Sequence, residues 1–402
     1  MDRNTKNDLS EKETNGSLLP IVFSTNDSYA PYAGVAIQSI ILNANPHNTY
    51  RIYILYTSIS AKHIEKLESM SVENVTVKCI NVEQLISNIH TTLPVRGHVT
   101  KEAYYRILIP EIEELKGYPY AIYLDCDLIV NTDIAGIVPQ NMADNLIAGV
   151  RDYPMMMREA DRRRLEIDYQ LDAAQYINSG VLVINIPQWI QEKTSKKCFD
   201  FLSIVSSTKF VFMDQDIINA VCKNRIMYLD ESWNYIWSIR YGSKKTIEYC
   251  KSITDRIGEN FHVLHFTTPI KPWSKLDHPF SHYFWKYAGP SPFFKEIIKK
   301  NFCTKAELEK TKKELRSVYD SVSFRVGRAI TWAPRKLRGG VQCVRDHGTG
   351  YTIRRVLYHV GLWENEEAPK GSENCPKLFQ HTDHIFHMTK VRQEGSEKEK
   401  GK

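Results

Sequence analysis

Two aspartates two residues apart, Asp125 and Asp127, close the apolar run AIYL in the stretch YLDCDLIV. Carboxylates at that spacing, at the mouth of a sheet, can share a hard divalent cation. Oxygen ligands favour magnesium or manganese over a thiolate-bound metal. A strand repeats every two residues, so the pair can face one side while Cys126 faces away into packing. A third ligand candidate, His265, ends the apolar run FHVLHF far along the chain, and Lys271 follows in HFTTPIKPW. The histidine could complete a metal shell and the lysine could neutralise a diphosphate. Cation and lysine together would hold a leaving diphosphate as its charge grows. Each residue also has a plainer reading: two acids in a solvated loop, and a histidine packed at a strand end.

Other polar residues gather at comparable places. Asn26, Asp27 and Ser28 follow the first apolar run, where a nucleoside could bind. Arg106 stands among apolar neighbours in EAYYRILI and needs a partner if buried. Asp152 ends one apolar run, and Asn178, Ser179 and Gly180 precede another. Asp214, Gln215 and Asp216 open a helical pattern, where the simplest role for Asp214 is a helix cap.

The elements that must position these residues are legible as alternating patterns. Residues 19–25 predict a buried strand, 31–44 a helix with Pro31 in its first turn, and 50–57 a second strand. A helix follows Ser60, then a strand at 75–80, a helix at 101–110 and a strand at 120–125. Further strands are expected at 145–152 and 180–186, with helices at 195–207 and from 214. Strand and helix alternating in this way imply an α/β fold with a mostly parallel sheet and crossovers. Ligands on such sheets bind beyond the C-terminal strand ends. After 300 a charged helix, KAELEKTKKELRSVY, leads out of this region.

The chain has 402 residues, enough for two or three domains. Its net charge of +6 is uneven: residues 321–360 hold eight Lys or Arg against one acid, whereas residues 1–320 sum to zero. A protein-wide nucleic-acid surface is therefore not expected, but one local anionic contact is. The eight cysteines form no close CxxC pair, which argues against a disulfide scaffold or zinc site and for a reducing cytosol. No apolar signal region opens the chain, and no stretch reaches eighteen apolar residues, so neither a signal peptide nor a membrane span is expected.

Six motifs in order, covering about 20–290, resemble glycosyltransferase family 8: IVFSTNDSYAPYAGVAIQSI, EAYYRILIP, YLDCDLIV, YINSGVLVIN, DQDIIN and HFTTPIKPW. The resemblance implies a GT-A type nucleotide-binding fold at 19–295, after a disordered stretch at 1–18. It further implies a retaining transferase using manganese, with magnesium as a substitute. The donor would be a UDP-sugar, UDP-glucose or UDP-galactose. Asp125, Asp127 and His265 resemble the metal ligands, and Lys271 the diphosphate-binding lysine. Thr25, Asn26 and Ser28 resemble the nucleoside contacts, and Cys126 and Arg106 are grouped with the donor-binding residues. Arg106, Asp152, Asn178, Asp214 and Gln215 look like the donor-sugar and catalytic pocket. Gln215 is the residue that the resemblance places nearest the reacting carbon. An amide is a poor nucleophile, so same-face attack is expected, with the leaving phosphate taking the acceptor proton. Two positions depart from the pattern. Asn26 stands where an acid is frequent, and Thr268 where glycine is usual.

Residues 296–365 are expected to form a helical, basic region, followed by a polar tail at 366–402. Within it, 322–360 alternates arginines with Val, Ile, Leu, Trp and Tyr, a pattern suited to an anionic membrane surface. A cytoplasmic enzyme, peripheral on the inner face of the membrane, would suit a glycan or lipid-linked acceptor such as lipopolysaccharide or surface polysaccharide. The alternatives are a transferase acting on protein and a catalytically weak nucleotide-sugar-binding protein. A dinucleotide oxidoreductase lacks its GxGxxG turn here.

Overall fold

The computed structural model describes residues 16–302, apart from 90–92, 94–99, 158, 205–211 and 237–243, together with 313 and 317. The chain divides into two compact units, Met1–Glu309 and Lys310–Lys402. The charged helix expected after 300 and the basic segment 322–360 lie outside the described residues, save for 313 and 317.

Among the described residues the first unit has ten strands: β1 (Leu18–Ser24), β2 (Thr49–Tyr56), β3 (Val75–Asn81), β4 (Tyr120–Leu124), β5 (Leu128–Val130), β6 (Ile147–Arg151), β7 (Ile177–Asn185), β8 (Ile226–Tyr228), β9 (Tyr235–Ile236) and β10 (Val263–His265). The helices are α1 (Ala30–Asn43), α2 (Ala61–Glu68), α3 (Glu83–Ser87), α4 (Tyr153–Met157), α5 (Glu159–Tyr169), α6 (Ile186–Gln191), α7 (Thr194–Ile204), α8 (Asp214–Val221), α9 (Lys244–Ile257), α10 (Ser281–Ala288) and α11 (Phe294–Asn301).

Seven strands form one sheet in the order β3-β2-β1-β4-β7-β6-β8, and β5-β10-β9 form a smaller one. β1 and β7 are buried along almost their whole lengths, as strands covered on both faces must be. Alternate residues, among them Val22, Tyr53, Tyr123 and Leu182, join one core cluster with Tyr104, Ile107, Trp189 and Ile217. The intervening Ile21, Phe23, Ile54 and Leu124 are buried as well, on the opposite face.

The sheet is mixed rather than wholly parallel. β7 runs antiparallel to both β4 and β6, while the other neighbours are parallel. Its first residues therefore arrive at the sheet edge where β4 ends, with Val181 opposite Leu124. The helix expected at 101–110 is a 3-10 helix, Lys101–Glu111, with Pro110 inside it. Proline supplies no backbone N–H and restrains the residue before it, which disfavours a regular α-helix there. Strand β5 is held partly by α1: Val130 N donates to Ser39 Oγ at 2.9 Å, and Asn43 Nδ2 donates to Val130 O at 2.8 Å.

Candidate active site

Asp125 and Asp127 occupy the turn between β4 and β5, the first held by Asp125 N donating to Gly180 O at 2.8 Å. His265 ends β10, which pairs antiparallel with β5, so residue 265 lies opposite Leu128. The sheet pairing thus gathers two aspartates and a histidine from distant parts of the chain. Ligand atoms of Asp125, Asp127 and His265 all lie within 4.8 Å of one another. His265 Nε2 is 3.1 Å from Asp127 Oδ1 and 3.8 Å from Asp125 Oδ2. Gly180 permits this closeness: a Cβ there would sit 2.2 Å from His265 Cε1 and 2.5 Å from Asp125 Oδ2.

The histidine's orientation follows from a relay of amides. Asn178 Nδ2 donates to Asp152 Oδ2 at 3.3 Å, and a carboxylate can only accept there. Asn178 Oδ1 then accepts from Asn234 Nδ2 at 2.9 Å and from Gly180 N at 3.0 Å. Asn234 Oδ1 is left facing His265 Nδ1 at 2.9 Å, so Nδ1 carries a proton and Nε2 is the ring nitrogen turned to the aspartates. Two carboxylates and an imidazole so placed could hold a divalent cation.

Asp127 is also held by Lys271, whose Nζ donates to Oδ2 at 2.6 Å and also to Phe266 O. Burial would push the Asp127 carboxyl up, but Lys271 and His265 outweigh it and hold the group well below the usual carboxylate range. Thr268 Oγ1 donates to Ile270 O at 2.9 Å, so its hydroxyl is spent on the local turn.

Arg106, placed by the 3-10 helix, finds the partners that its burial requires. It reaches Asp125 Oδ1 at 2.9 Å, Asp214 Oδ2 at 3.1 Å and Ser179 Oγ at 2.9 Å. Tyr123 Oη donates to the same Asp125 oxygen at 2.8 Å. Asp214 does not cap α8. Met213 stands at the cap position without a side-chain bond, in the left-handed region at φ 44°. The Asp214 carboxylate turns instead toward Arg106 and Ser179. Burial pushes its pKa up to about 6, with Arg106 opposing and Asp125 reinforcing the rise. Burial likewise raises that of Asp152, against hydrogen bonds from Asn178, Met155 and Gln215.

Gln215 Oε1 accepts from Asn178 Nδ2 and from Ser179 N, at 3.1 and 3.0 Å, and its Nε2 donates to Asp152 Oδ2 at 3.1 Å. Asp216 is bound by both terminal nitrogens of Arg164, at 3.0 and 3.1 Å, which ties α8 to α5. Arg106, Asp152, Asn178, Asp214 and Gln215 therefore form one hydrogen-bonded group joined to the aspartate cluster. Cys126 lies buried with its Sγ on Ser24 O at 3.2 Å, turned into the packing as strand periodicity anticipates.

Thr25, Asn26 and Ser28 lie just beyond β1. Asn26 Oδ1 accepts from Ser28 N, Ser28 Oγ and Tyr29 N, at 3.1, 2.8 and 3.2 Å, closing a tight turn. Thr25 is buried, with its Oγ1 on Asn26 O at 3.2 Å. Asp27 faces away from the cluster to His63, 2.7 Å from Nδ1. Asn234 and Tyr123 are absent from the residues picked out in the sequence. Neither lies in a spacing that marks it, and only the pairing of β9 with β10 brings residue 234 to the histidine.

Residues 20–277 match the family described as Glycosyl transferase family 8. General stress protein A of Bacillus subtilis (strain 168) is 26% identical over 276 residues, which cover 67% of this chain and 93% of that protein. Lipopolysaccharide 1,2-glucosyltransferase of Escherichia coli (strain K12) is 26% identical over 261 residues, 64% of this chain and 73% of that one. Among solved structures, the apo form of the bifunctional glycosyltransferase WbbM superposes with a TM-score of 0.61 at 22% identity. That match covers 73% of this chain and 53% of the other, so the chain spans about half of that protein, and the likeness is one of fold.

Proposed function

The chain belongs to glycosyltransferase family 8, and from this we propose that it transfers glucose or galactose from a UDP-sugar, with retention and with manganese, to a glycan or lipid-linked acceptor. It is a glycosyltransferase with a GT-A-like fold. The observation that carries the finer reading is the cluster of Asp125, Asp127 and His265 with Lys271 beside it. Two carboxylates and an imidazole would hold the cation, which when bound neutralises charge on the leaving diphosphate. Lys271 would add a second positive charge there. Arg106 holds Asp125 and Asp214 in place, Asp214 and Asp152 would offer carboxylate oxygens to sugar hydroxyls, and Asn178, bonded at both side-chain atoms, would position them. Gln215 has its amide fully engaged by Asn178, Ser179 and Asp152, which suits a positioning part better than nucleophilic attack. Lipopolysaccharide or surface polysaccharide is the proposed acceptor class, supported by the enzyme of Escherichia coli among the relatives.

The test is UDP release from a panel of UDP-sugars, with manganese and without acceptor, beside Asp127→Ala. Manganese-dependent release from one sugar, reduced at least about a hundredfold in the variant, is expected. Retained release in Asp127→Ala would remove the cluster from the mechanism. Manganese-dependent UDP binding with no turnover of any donor would instead favour a nucleotide-sugar-binding protein.

A further inference from the structure

We propose that Glu102 reads the nucleobase of the donor, supplying the acceptor that accepts the imide N–H of uracil beside the amide N–H of Asn26. The inference rests on the proposed use of a UDP-sugar. Glu102 is 7% exposed, in the first turn of the 3-10 helix that also carries Arg106. Its one hydrogen bond among the described residues comes from Asn26 Nδ2, at a long 3.4 Å. A carboxylate so little exposed gains from charge-assisted hydrogen-bond partners. Helix capping does not supply them: Thr100 at the cap position makes no side-chain bond, and the described hydrogen bond to the carboxylate comes from Asn26 alone.

The neighbouring group is equally directed. Asn26 Oδ1 is consumed by Ser28 N, Ser28 Oγ and Tyr29 N, so only Nδ2 of that amide remains to meet a ligand. Asn26 Nδ2 and Glu102 Oε2 thus present a donor and an acceptor side by side, just beyond the end of β1. The complementary edge carries a carbonyl oxygen next to an N–H. Uracil has that pair in O4 and N3–H. Cytosine has an amino group and a bare N3 there, which sets donor against donor and lone pair against carboxylate. The acceptor that Asn26 cannot offer comes from the first turn of a helix some seventy residues later.

The experiment is calorimetric binding of UDP and of CDP to the full chain with manganese, for the unaltered protein, Glu102→Gln and Glu102→Asp. Both nucleotides share ribose and diphosphate, so their ratio isolates the base. The unaltered protein is expected to favour UDP at least tenfold. Glu102→Gln, nearly isosteric and able to donate to cytosine N3, is expected to shrink that ratio about tenfold while CDP binding is kept. Glu102→Asp is expected to shrink it less. An unchanged ratio in Glu102→Gln, or no preference in the unaltered protein, would overturn the assignment and leave the transferase reading standing. Loss of both nucleotides in both variants would mark Glu102 as structural and overturn it too. Absence of any nucleoside diphosphate binding by the unaltered protein would overturn the UDP-sugar reading and this inference together.

Discussion

At the scale of single residues, the cluster depends on groups outside it that orient its side chains. Asn234 fixes the tautomer of His265 by accepting from Nδ1. Asn234→Ala should weaken manganese binding about tenfold to a hundredfold, read by metal titration, with the fold retained. An unchanged metal affinity would mean that the relay does not orient the imidazole. Asp214 gives a pH signature. Burial raises its folded pKa to about 6, above the ordinary carboxylate range, so the folded chain holds that proton more tightly than the unfolded chain. Between about pH 4 and 6 the unfolded group is ionised and the folded one is losing its proton. The unaltered protein should therefore lose stability relative to Asp214→Asn as pH rises through that window, measured by thermal melting. Much of this site was legible in residue types and spacing: Asp125, Asp127, His265, Lys271 and Arg106 converge as read. Asn234 was not, because an asparagine between a tryptophan and a tyrosine carries no local signal. The plainer reading of Asp214, a helix cap, is the one that fails, because a helix-opening aspartate looks the same whether it caps or turns to an arginine in another element.

At the scale of elements, the reversal of β7 decides which backbone lines the site. The rule that ligands meet C-terminal strand ends holds for β1 and β4, and for β7 it inverts, delivering the strand's first residues, Asn178 to Gly180, to the same edge. Strand direction is not written in an apolar run, so the sequence located the residues without revealing why they belong there. A second element matters from further away. Glu296 on α11 meets His63 Nε2 at 2.7 Å and Lys66 Nζ at 2.8 Å, and His63 Nδ1 meets Asp27 at 2.7 Å. Lys300 Nζ donates to Ser28 O at 2.6 Å. Helix α11 is therefore bonded to both sides of the turn that Asn26 closes. His63→Ala should raise the donor KM about tenfold with less effect on kcat, because it loosens a binding turn and not the reacting groups. The Asp27 and Glu296 carboxyls are pushed up by burial, yet their hydrogen bonds, to Ser60 and His63 and to Lys66 and His63, bring both below their ordinary values. The contribution of these two carboxylates is thus lost only as pH falls below the usual carboxylate range.

At the scale of the whole molecule, the first compact unit runs to Glu309, and α11 spans Phe294–Asn301. A chain ending at 295 would lose Glu296, Ile297, Ile298 and Lys300, whereas one ending at 320 keeps them. The net positive charge lies beyond that point, in 321–360. For the proposed membrane contact, the full chain should bind liposomes containing anionic lipid, more weakly as salt rises. A chain ending at 320 should not bind them, while still releasing UDP from its donor. Equal liposome binding by both would place any membrane contact elsewhere. The boundary was only partly legible, since the charged pattern after 300 marks an exit without revealing that α11 still belongs to the site. No helix among the described residues is long and apolar enough to cross a membrane.

The ion pair between Lys271 and Asp127 has a consequence for the order of arrival. At rest the aspartate is neutralised by its own chain. A divalent cation entering by itself must compete with that ammonium and leave Lys271 without its carboxylate. A diphosphate entering by itself meets a lysine already engaged. With both present, Asp127 would hold the cation and Lys271 would be released to the phosphate, so neither charged side chain is left without a partner. Cation and nucleotide should then each tighten the binding of the other by the same factor, so that neither alone should displace the Lys271–Asp127 pair as readily as the two together.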